Sequence, residues 1–322
     1  MNKKCLFCYG ELADLEQFDY HPKCSLAFFG SKIPPNLNYT LSEMNELAKE
    51  VVSHRIAVPG VQPKLSLSMI DETLNKKNIT RLTVVGALGG NYIFKPPSNT
   101  YPEMPENEHL TMKIAEAFGI QTVPSSLIRL DSGELGYITR RIDRTVDNQK
   151  IHMLDMFQIT EAVDKYKSTM ERIGKALRQY STNTLLDQLK YFELIVFCFI
   201  TGNNDMHLKN FSMIQIDGTW ALSPAYDLLN VNLANPADNE ELALSMEGKK
   251  RKLTRKHFER FGINLGLNNK QIQGVFNRFT KNRSKAKNLI EESFLSKEGR
   301  DAYWKIMQHR YKVLKDKLVV SN

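Results

Sequence analysis

Apolar and polar positions follow two different periods along this chain. Between residues 183 and 200, Leu185, Leu186, Leu189, Phe192, Ile195, Val196 and Phe199 recur at three-to-four spacing, which predicts a buried helix. Gly202 and the asparagines after it break that helix, so Asp205 falls in a polar loop just beyond. Residues 211–216 alternate in part, Asp217-Gly218 is a strong two-residue hairpin signal, and residues 219–222 read as the return strand before Pro224. A hairpin brings its ends together. Asn210 before it and Asp227 after it are therefore expected side by side, with Asp205 close by.

Upstream the strand period dominates. Residues 65–69, 82–85 and 91–95 read as strands, the last two flanking a turn rich in Gly86, Gly89 and Gly90. Residues 125–130 and 134–140 read as a hairpin through Asp131, Ser132 and Gly133. Two helices interrupt these strands. One covers residues 40–52, and the other covers 105–118, with Pro105 in its first turn, Gly119 as its stop, and Leu110, Ile114, Ala117 and Phe118 as its buried stripe. Beyond residue 153 helices predominate: 153–163, 168–180, 183–200, and an amphipathic series from 254 to 320. The pattern predicts an α+β protein. Its parts are a short Cys/His segment at 1–33, a small β-rich lobe at 34–142 and a larger helical lobe at 143–322.

Composition narrows the class without choosing a partner. The chain has 322 residues, 42% hydrophobic and 25% charged, which suits a globular protein with a sizeable core. A net charge of +8 fits nucleotide phosphates, acidic protein surfaces or nucleic acid, and equally an ordinary solvated surface. Lys3 and Lys4 are not followed by a long apolar stretch, and the apolar run at 194–200 is too short to span a bilayer. A cytoplasmic, membrane-free protein is expected. The basic cluster at 249–252, with Arg255 and Lys256, reads as a solvated face or a patch for an acidic partner.

Four cysteines are too few for a disulfide scaffold, and three lie in the first 24 residues. Cys5-x2-Cys8 and His21-x2-Cys24 are two short chelating pairs, a Cys3His set that suits Zn2+. The other reading is reduced thiols packed beneath Phe7, Tyr9, Tyr20, Phe28 and Phe29. Either role is structural. Cys198, on the apolar helix, belongs to the core.

The chemistry-bearing residues form one pattern. Asp205 followed five positions later by Asn210, with Asp227 downstream, is the spacing of a phosphoryl-transfer centre. Asp205 would orient a substrate hydroxyl and accept its proton. Asn210 and Asp227 would offer hard oxygen ligands to Mg2+. Taken singly, each is an ordinary turn residue. Lys95 ends an apolar strand, where its ammonium could reach nucleotide phosphates, and Glu108 is the acid expected to hold it, with Glu106 as competitor. The turn containing Gly60, Val61 and Gln62, followed by Lys64, could lay backbone N–H groups over phosphates, although an ordinary hairpin explains it as well. Arg140 and Ile142 sit where the chain leaves the strands, and His207 and Lys209 lie inside the polar loop; all four are candidates for nucleotide contact.

Together these motifs resemble the HipA-like serine/threonine kinases, toxin components of bacterial toxin–antitoxin systems. The resemblance rests on residues 59–64, 92–95, 106–109, 202–211 and 222–228, in family order. It is nearest to the short HipT form, in which a separate small protein supplies the usual N-terminal subdomain. It implies a bilobal protein-kinase-like fold using ATP and Mg2+, with Asp205 as base, Asn210 and Asp227 as metal ligands and Lys95 as phosphate-binding lysine. It further implies phosphorylation of an aminoacyl-tRNA synthetase, and small antitoxin partners that carry the DNA-binding function, so that this chain itself binds no DNA. One departure stands out. Related toxins carry regulatory serines in the loop where this chain has Ala57 and Pro59, although Ser53, Ser66 and Ser68 lie nearby. Two alternatives carry different chemistry: a catalytically silent kinase-fold binding module, and a lipid or small-molecule kinase.

Overall fold

A computed structural model describes residues 3–13, 17–53, 64–74, 77–85, 89–98, 100–145 and 147–315. The chain divides into two compact units. The first comprises Met1–His109, Val123–Lys150 and Glu292–Phe294; the second comprises Leu110–Thr122, Ile151–Glu291 and Leu295–Asn322.

In the first unit, helices α1 (Pro22–Phe29) and α2 (Leu41–Ser53) precede strands β1 (Leu65–Leu74), β2 (Lys77–Val84) and β3 (Tyr92–Lys95). Helix α3 (Met104–Ala117) begins in this unit, and β4 (Ser125–Arg129) and β5 (Leu135–Arg140) follow. The five strands form one antiparallel sheet in the order β2-β1-β3-β5-β4. Its alternation is legible in β3, where Tyr92 and Phe94 are buried and pair with Arg140 and Ile138. The Cys/His segment belongs to the same core: Cys5, Leu6, Leu12, Tyr20, Cys24, Phe28 and Phe29 pack with Leu65, Leu67, Phe94 and Ile138. Leu6 also joins β4 through its carbonyl, which accepts from the Leu127 amide at 3.2 Å. Helix α1 carries no strong periodic signal; it is a two-turn piece opened by Pro22 and closed by Gly30 in the left-handed region.

The second unit contains β6 (Met153–Asp155), α4 (Met156–Ile159), α5 (Met170–Tyr180), α6 (Thr184–Thr201), β7 (Ser212–Ile216), β8 (Thr219–Leu222), α7 (Val231–Ala234), α8 (Arg255–Asn264), α9 (Asn269–Lys281), α10 (Arg283–Glu292) and α11 (Lys297–Lys315). Strands β6, β7 and β8 form an antiparallel sheet in that order. The helix predicted over 153–163 is replaced by a strand and a single helical turn. Met153 and Leu154 pair with Ile214 and Met213, and Asp155 then starts α4 with a capping box to Gln158. A short apolar run cannot be assigned by period alone, and here the neighbouring strand decided it.

Helix α6 is the central element of this unit. From Tyr191 to Thr201 every side chain is buried, which is why its sequence is apolar nearly all round. Asn183 caps its start, and Gly202 ends it at φ +71°. A Cβ on Gly202 would come within 2.9 Å of Asn230 Oδ1 and 3.0 Å of Asn232 Oδ1, so both conformation and space require glycine. The buried Asp187 carboxylate of α6 accepts the Leu222 amide at 2.9 Å, tying β8 to the helix. The hairpin turn is Asp217-Gly218, both at positive φ, as the primed turn demands.

Candidate active site

After Gly202 the chain folds on itself through short polar bonds. Asn203 Oδ1 accepts the Asp205 amide at 3.2 Å. The Asp205 carbonyl in turn accepts from the His207 amide at 2.8 Å and from Asn210 Nδ2 at 3.0 Å. His207 starts the single 3-10 turn Leu208–Asn210, its Nδ1 accepting the Lys209 amide at 3.3 Å, which leaves the ring proton on Nε2 if the ring is neutral. Asn210 is therefore held by its amide nitrogen against the backbone of Asp205. Its amide oxygen is the atom that remains to meet a cation.

The hairpin returns the chain to this loop. The Ser223 amide bonds the Ser212 carbonyl at 2.9 Å, and the Tyr226 hydroxyl donates to the Lys209 carbonyl at 3.0 Å while sitting 2.5 Å from Ser212 Oγ. Asp227 follows Tyr226 with φ +55°, a conformation uncommon outside glycine but tolerated by Asp. The Ala225 amide bonds the Gln121 carbonyl at 2.8 Å, fixing the approach to this position. The structure thus brings Asp205 and Asn210 into direct contact and ties the residue beside Asp227 to the residue beside Asn210.

Two further side chains at this loop, Tyr166 and Asp155, have no local sequence signal. Tyr166 donates its hydroxyl to Asp205 Oδ1 at 2.9 Å and sets its ring edge-on to His207, centroids 5.0 Å apart. Burial and the Asp205 charge both push the Tyr166 phenol upward, so it stays a donor. Asp155 adjoins the loop through α4, whose Met156 amide bonds the Phe211 carbonyl at 2.8 Å. Burial raises the Asp155 carboxyl, and the Lys209 charge opposes that shift. Lys209 itself is exposed and lies 5.0 Å from the centre of the Phe157 ring. Tyr226 lies within a motif visible in the sequence, but its bridging role is not.

In the first unit, Lys95 Nζ meets Glu108 Oε1 at 2.6 Å, with side-chain exposures of only 5% and 2%. The ammonium also lies 5.3 Å from the centre of the Tyr137 ring. Lys95 comes from a strand flanked on both sides, and Glu108 from α3, so neither can drift. Glu106, two residues earlier, has no ion pair among the described residues, and burial pushes its carboxyl up to about 7. Lys64 is exposed just ahead of β1. Gly60, Val61 and Gln62, together with Ala57 and Pro59, lie outside the described residues. Arg140 ends β5 with its amide bonded to the Pro124 carbonyl at 3.0 Å, and Ile142 is half-buried beyond it. Between them Arg141 grips Asp143 at 2.6 Å, and Arg144 reaches the same carboxylate at 2.8 Å.

The remaining predicted groups divide. Cys5, Cys8, His21 and Cys24 converge, with their ligand atoms all within 4.8 Å of one another. The basic cluster is partly engaged within the chain. Arg255 is committed to Glu259 at 2.9 Å and to the Leu314 carbonyl at 3.0 Å, and Lys250 pairs with Glu240 at 3.2 Å. Lys249, Arg251, Lys252 and Lys256 are exposed.

A sequence model of the HipA-like C-terminal domain matches residues 56–287. The chain belongs to the HipA-like family. A "Putative kinase" of Haemophilus influenzae is 28% identical over 289 residues, covering 80% of this chain and 82% of that protein. "Putative kinase Y4dM" of Sinorhizobium fredii is 35% identical over 192 residues, covering 55% of this chain and 45% of its own length. The chain therefore spans under half of that second relative. Among solved structures, HipA of Shewanella oneidensis, in a complex with HipB and operator DNA, superposes with a TM-score of 0.64 at 18% identity, over 81% of this chain and 67% of that one. The Helicobacter pylori proinflammatory kinase CtkA superposes at 0.52 and 13% identity, over 77% and 92%. The fold of this HipA-like chain is accordingly α+β and protein-kinase-like. None of its described helices is long and apolar enough to cross a membrane.

Proposed function

We propose that this HipA-like protein is an ATP- and Mg2+-dependent serine/threonine protein kinase. The observation that carries the reading is the Asp205 loop. A carboxylate is aimed by Tyr166, and an amide five residues on is locked by its nitrogen so that its oxygen is left for a cation. Asp205 would take the proton from the substrate hydroxyl as that oxygen bonds to the terminal phosphorus of ATP and the bond to the departing ADP breaks. Asn210 and Asp227 supply one amide oxygen and one carboxylate, a hard donor pair that fits Mg2+. When bound, the metal nucleotide supplies the phosphoryl group and neutralises its charge. Lys95 binds nucleotide phosphates, and the Glu108 carboxylate opposite it holds the buried ammonium in place. His207 and Lys209, with Lys64, Arg140 and Ile142, are the further nucleotide contacts in this reading.

The biological role follows the family by the same kind of inference. The chain acts in the cytoplasm as the toxin of a toxin–antitoxin pair, arresting translation by phosphorylating an aminoacyl-tRNA synthetase. Small antitoxin proteins supply the N-terminal subdomain and the DNA contact. Similarity to a Shewanella "Serine/threonine-protein kinase toxin HipA", 22% identical over 60% of this chain and 47% of that protein, supports the toxin role.

The test incubates wild type and Asp205→Asn with labelled ATP, Mg2+ and a bacterial lysate, and identifies labelled proteins by mass spectrometry. Label on a single protein with wild type alone is the expected result. Nucleotide binding without transfer to any protein or lipid would show a silent binding module instead, and label in the lipid fraction would show a lipid kinase.

A further inference from the structure

The HipA-like C-terminal match begins at residue 56, so it leaves the Cys/His segment without an assigned role. Four potential ligands converge there from two turns. Cys5 and Cys8 flank a tight turn in which the Tyr9 amide returns to the Cys5 carbonyl at 3.0 Å and the Cys5 amide reaches the Gly10 carbonyl at 2.9 Å. This turn forces Tyr9 to φ +66°, an expensive backbone for a buried aromatic residue, and one that persists only where its surroundings over-determine it. Gly10 is close-packed under the cluster: a Cβ there would lie 3.3 Å from His21 Cε1 and 3.5 Å from Cys8 Sγ. His21 and Cys24 come from the start of α1, with the Cys24 amide bonded to the His21 carbonyl at 2.9 Å.

The orientation of His21 distinguishes a ligand set from a packed thiol cluster. Its Nε2 lies 2.9 Å from the Glu11 carbonyl, which can only accept, so Nε2 carries the proton. In the neutral ring Nδ1 then presents a lone pair, and Nδ1 lies 3.4 Å from Cys8 Sγ and 3.8 Å from Cys24 Sγ. A backbone carbonyl on the outer nitrogen of a metal-bound histidine is the usual second contact that fixes its tautomer. Tetrahedral zinc with three sulfurs and one nitrogen needs ligand atoms roughly 3.6–3.8 Å apart. The observed set reaches that with shifts of about 1 Å or less. Three thiolates and an imidazole are soft and borderline donors that suit Zn2+ and exclude Mg2+ or Ca2+.

We propose that Cys5, Cys8, His21 and Cys24 hold a structural zinc ion, and that the zinc-closed turn braces the start of α3 through Tyr9. The Tyr9 ring is buried, its hydroxyl lies 3.0 Å from His109 Nδ1, and its ring meets the His109 ring edge-on with centroids 5.3 Å apart. His109 directly follows Glu108, the partner of Lys95. Phe294 closes the other side of Tyr9, centroids 5.6 Å apart. The metal thus fixes a strained turn, the turn fixes Tyr9, and Tyr9 holds the helical residue beside the buried ion pair. Any consequence for turnover rests on the kinase reading; the site and the brace do not.

The test uses the full chain, purified without chelator. Elemental analysis should read about one zinc per chain. Less than about a tenth of that, or iron in its place, overturns the site. Tyr9→Phe then probes the brace with all four ligands intact. Zinc content should stay unchanged, while the amides of Asn107, Glu108 and His109 exchange with deuterium three- to tenfold faster, as expected for about one lost hydrogen bond. Exchange identical to wild type overturns the brace. Neither readout uses phosphotransfer, so a failed zinc site and a failed kinase reading give different results.

Discussion

Lys95 and Glu108 stand thirteen residues apart and meet at 2.6 Å, each from an ordered element and almost wholly out of water. Asp205 and Asn210 stand five residues apart and meet through the backbone, in a loop whose key carboxylate is half-exposed. The first arrangement depends on tertiary packing, and the fold in turn depends on it, because an ammonium cannot stay buried without its partner. The second is written into consecutive residues and would form wherever the end of α6 formed. A residue in the first pair should therefore matter to stability as well as to function. One in the second should matter to function alone.

The largest expected effect is on the loop. Asp205→Asn should lower phosphotransfer by about a hundred- to ten-thousandfold, the range for loss of a general base. The same change should move the urea midpoint by less than about 1 kcal/mol of stability, because a half-exposed loop side chain contributes little to folding. A large loss of stability would show that the loop is also a folding element and would erase the contrast.

The next effect tests the buried pair. Glu108→Gln removes the carboxylate that faces the buried Lys95 ammonium and should destabilise the protein by about 3 kcal/mol, read as a lower denaturation midpoint. Replacing both charges, Lys95→Met with Glu108→Met, should recover most of that stability while leaving nucleotide phosphates without their lysine. A single Glu108→Gln no more damaging than Asp205→Asn would mean that the pair is wetter than its burial indicates.

A smaller effect separates aiming from chemistry within the loop. Tyr166→Phe removes one hydrogen bond to Asp205 Oδ1 and keeps the ring against His207. Loss of one such bond corresponds to about 0.5–1.5 kcal/mol, so turnover should fall no more than about tenfold with little change in stability. A loss matching that of Asp205→Asn would make the phenol a direct participant.

The same contrast explains what could be read from the chain. The α6 helix, the Asp217-Gly218 hairpin and the chemistry-bearing loop are local patterns, and local patterns survive in sequence. Residues 153–163 do not form the helix their period suggests, because β7 offers Met153 and Leu154 a strand partner. Tyr166 lies 39 residues from Asp205 and carries no motif. The two acids at the start of α3 both suit a helix's first turns. The sequence favours Glu108 with Glu106 as competitor, and the structure pairs Glu108 with Lys95 while Glu106 has no ion pair among the described residues.

Those two acids give the smallest and most selective test. Glu106 is pushed up to about 7 from an ordinary 4.5, and the cause is burial without an opposing charge. Between pH 4.5 and 7 the folded protein therefore holds a proton that the unfolded chain has released. Stability contributed by this group is complete below 4.5, falls through that window and is gone above about 7. Glu106→Gln should remove the slope and stabilise the protein above pH 7 by of order 1 kcal/mol, short of the full linkage value because the side chain is partly exposed. Chemical denaturation at pH 5 and pH 8 measures it directly. Glu108→Gln should fail in the opposite sense, destabilising at both values, because its carboxylate is wanted ionised beside Lys95. Two neighbouring carboxyls with opposite responses to the same substitution would establish that the partner, rather than depth alone, decides what a buried charge does here. Parallel responses would show that Lys95 does not discriminate between them.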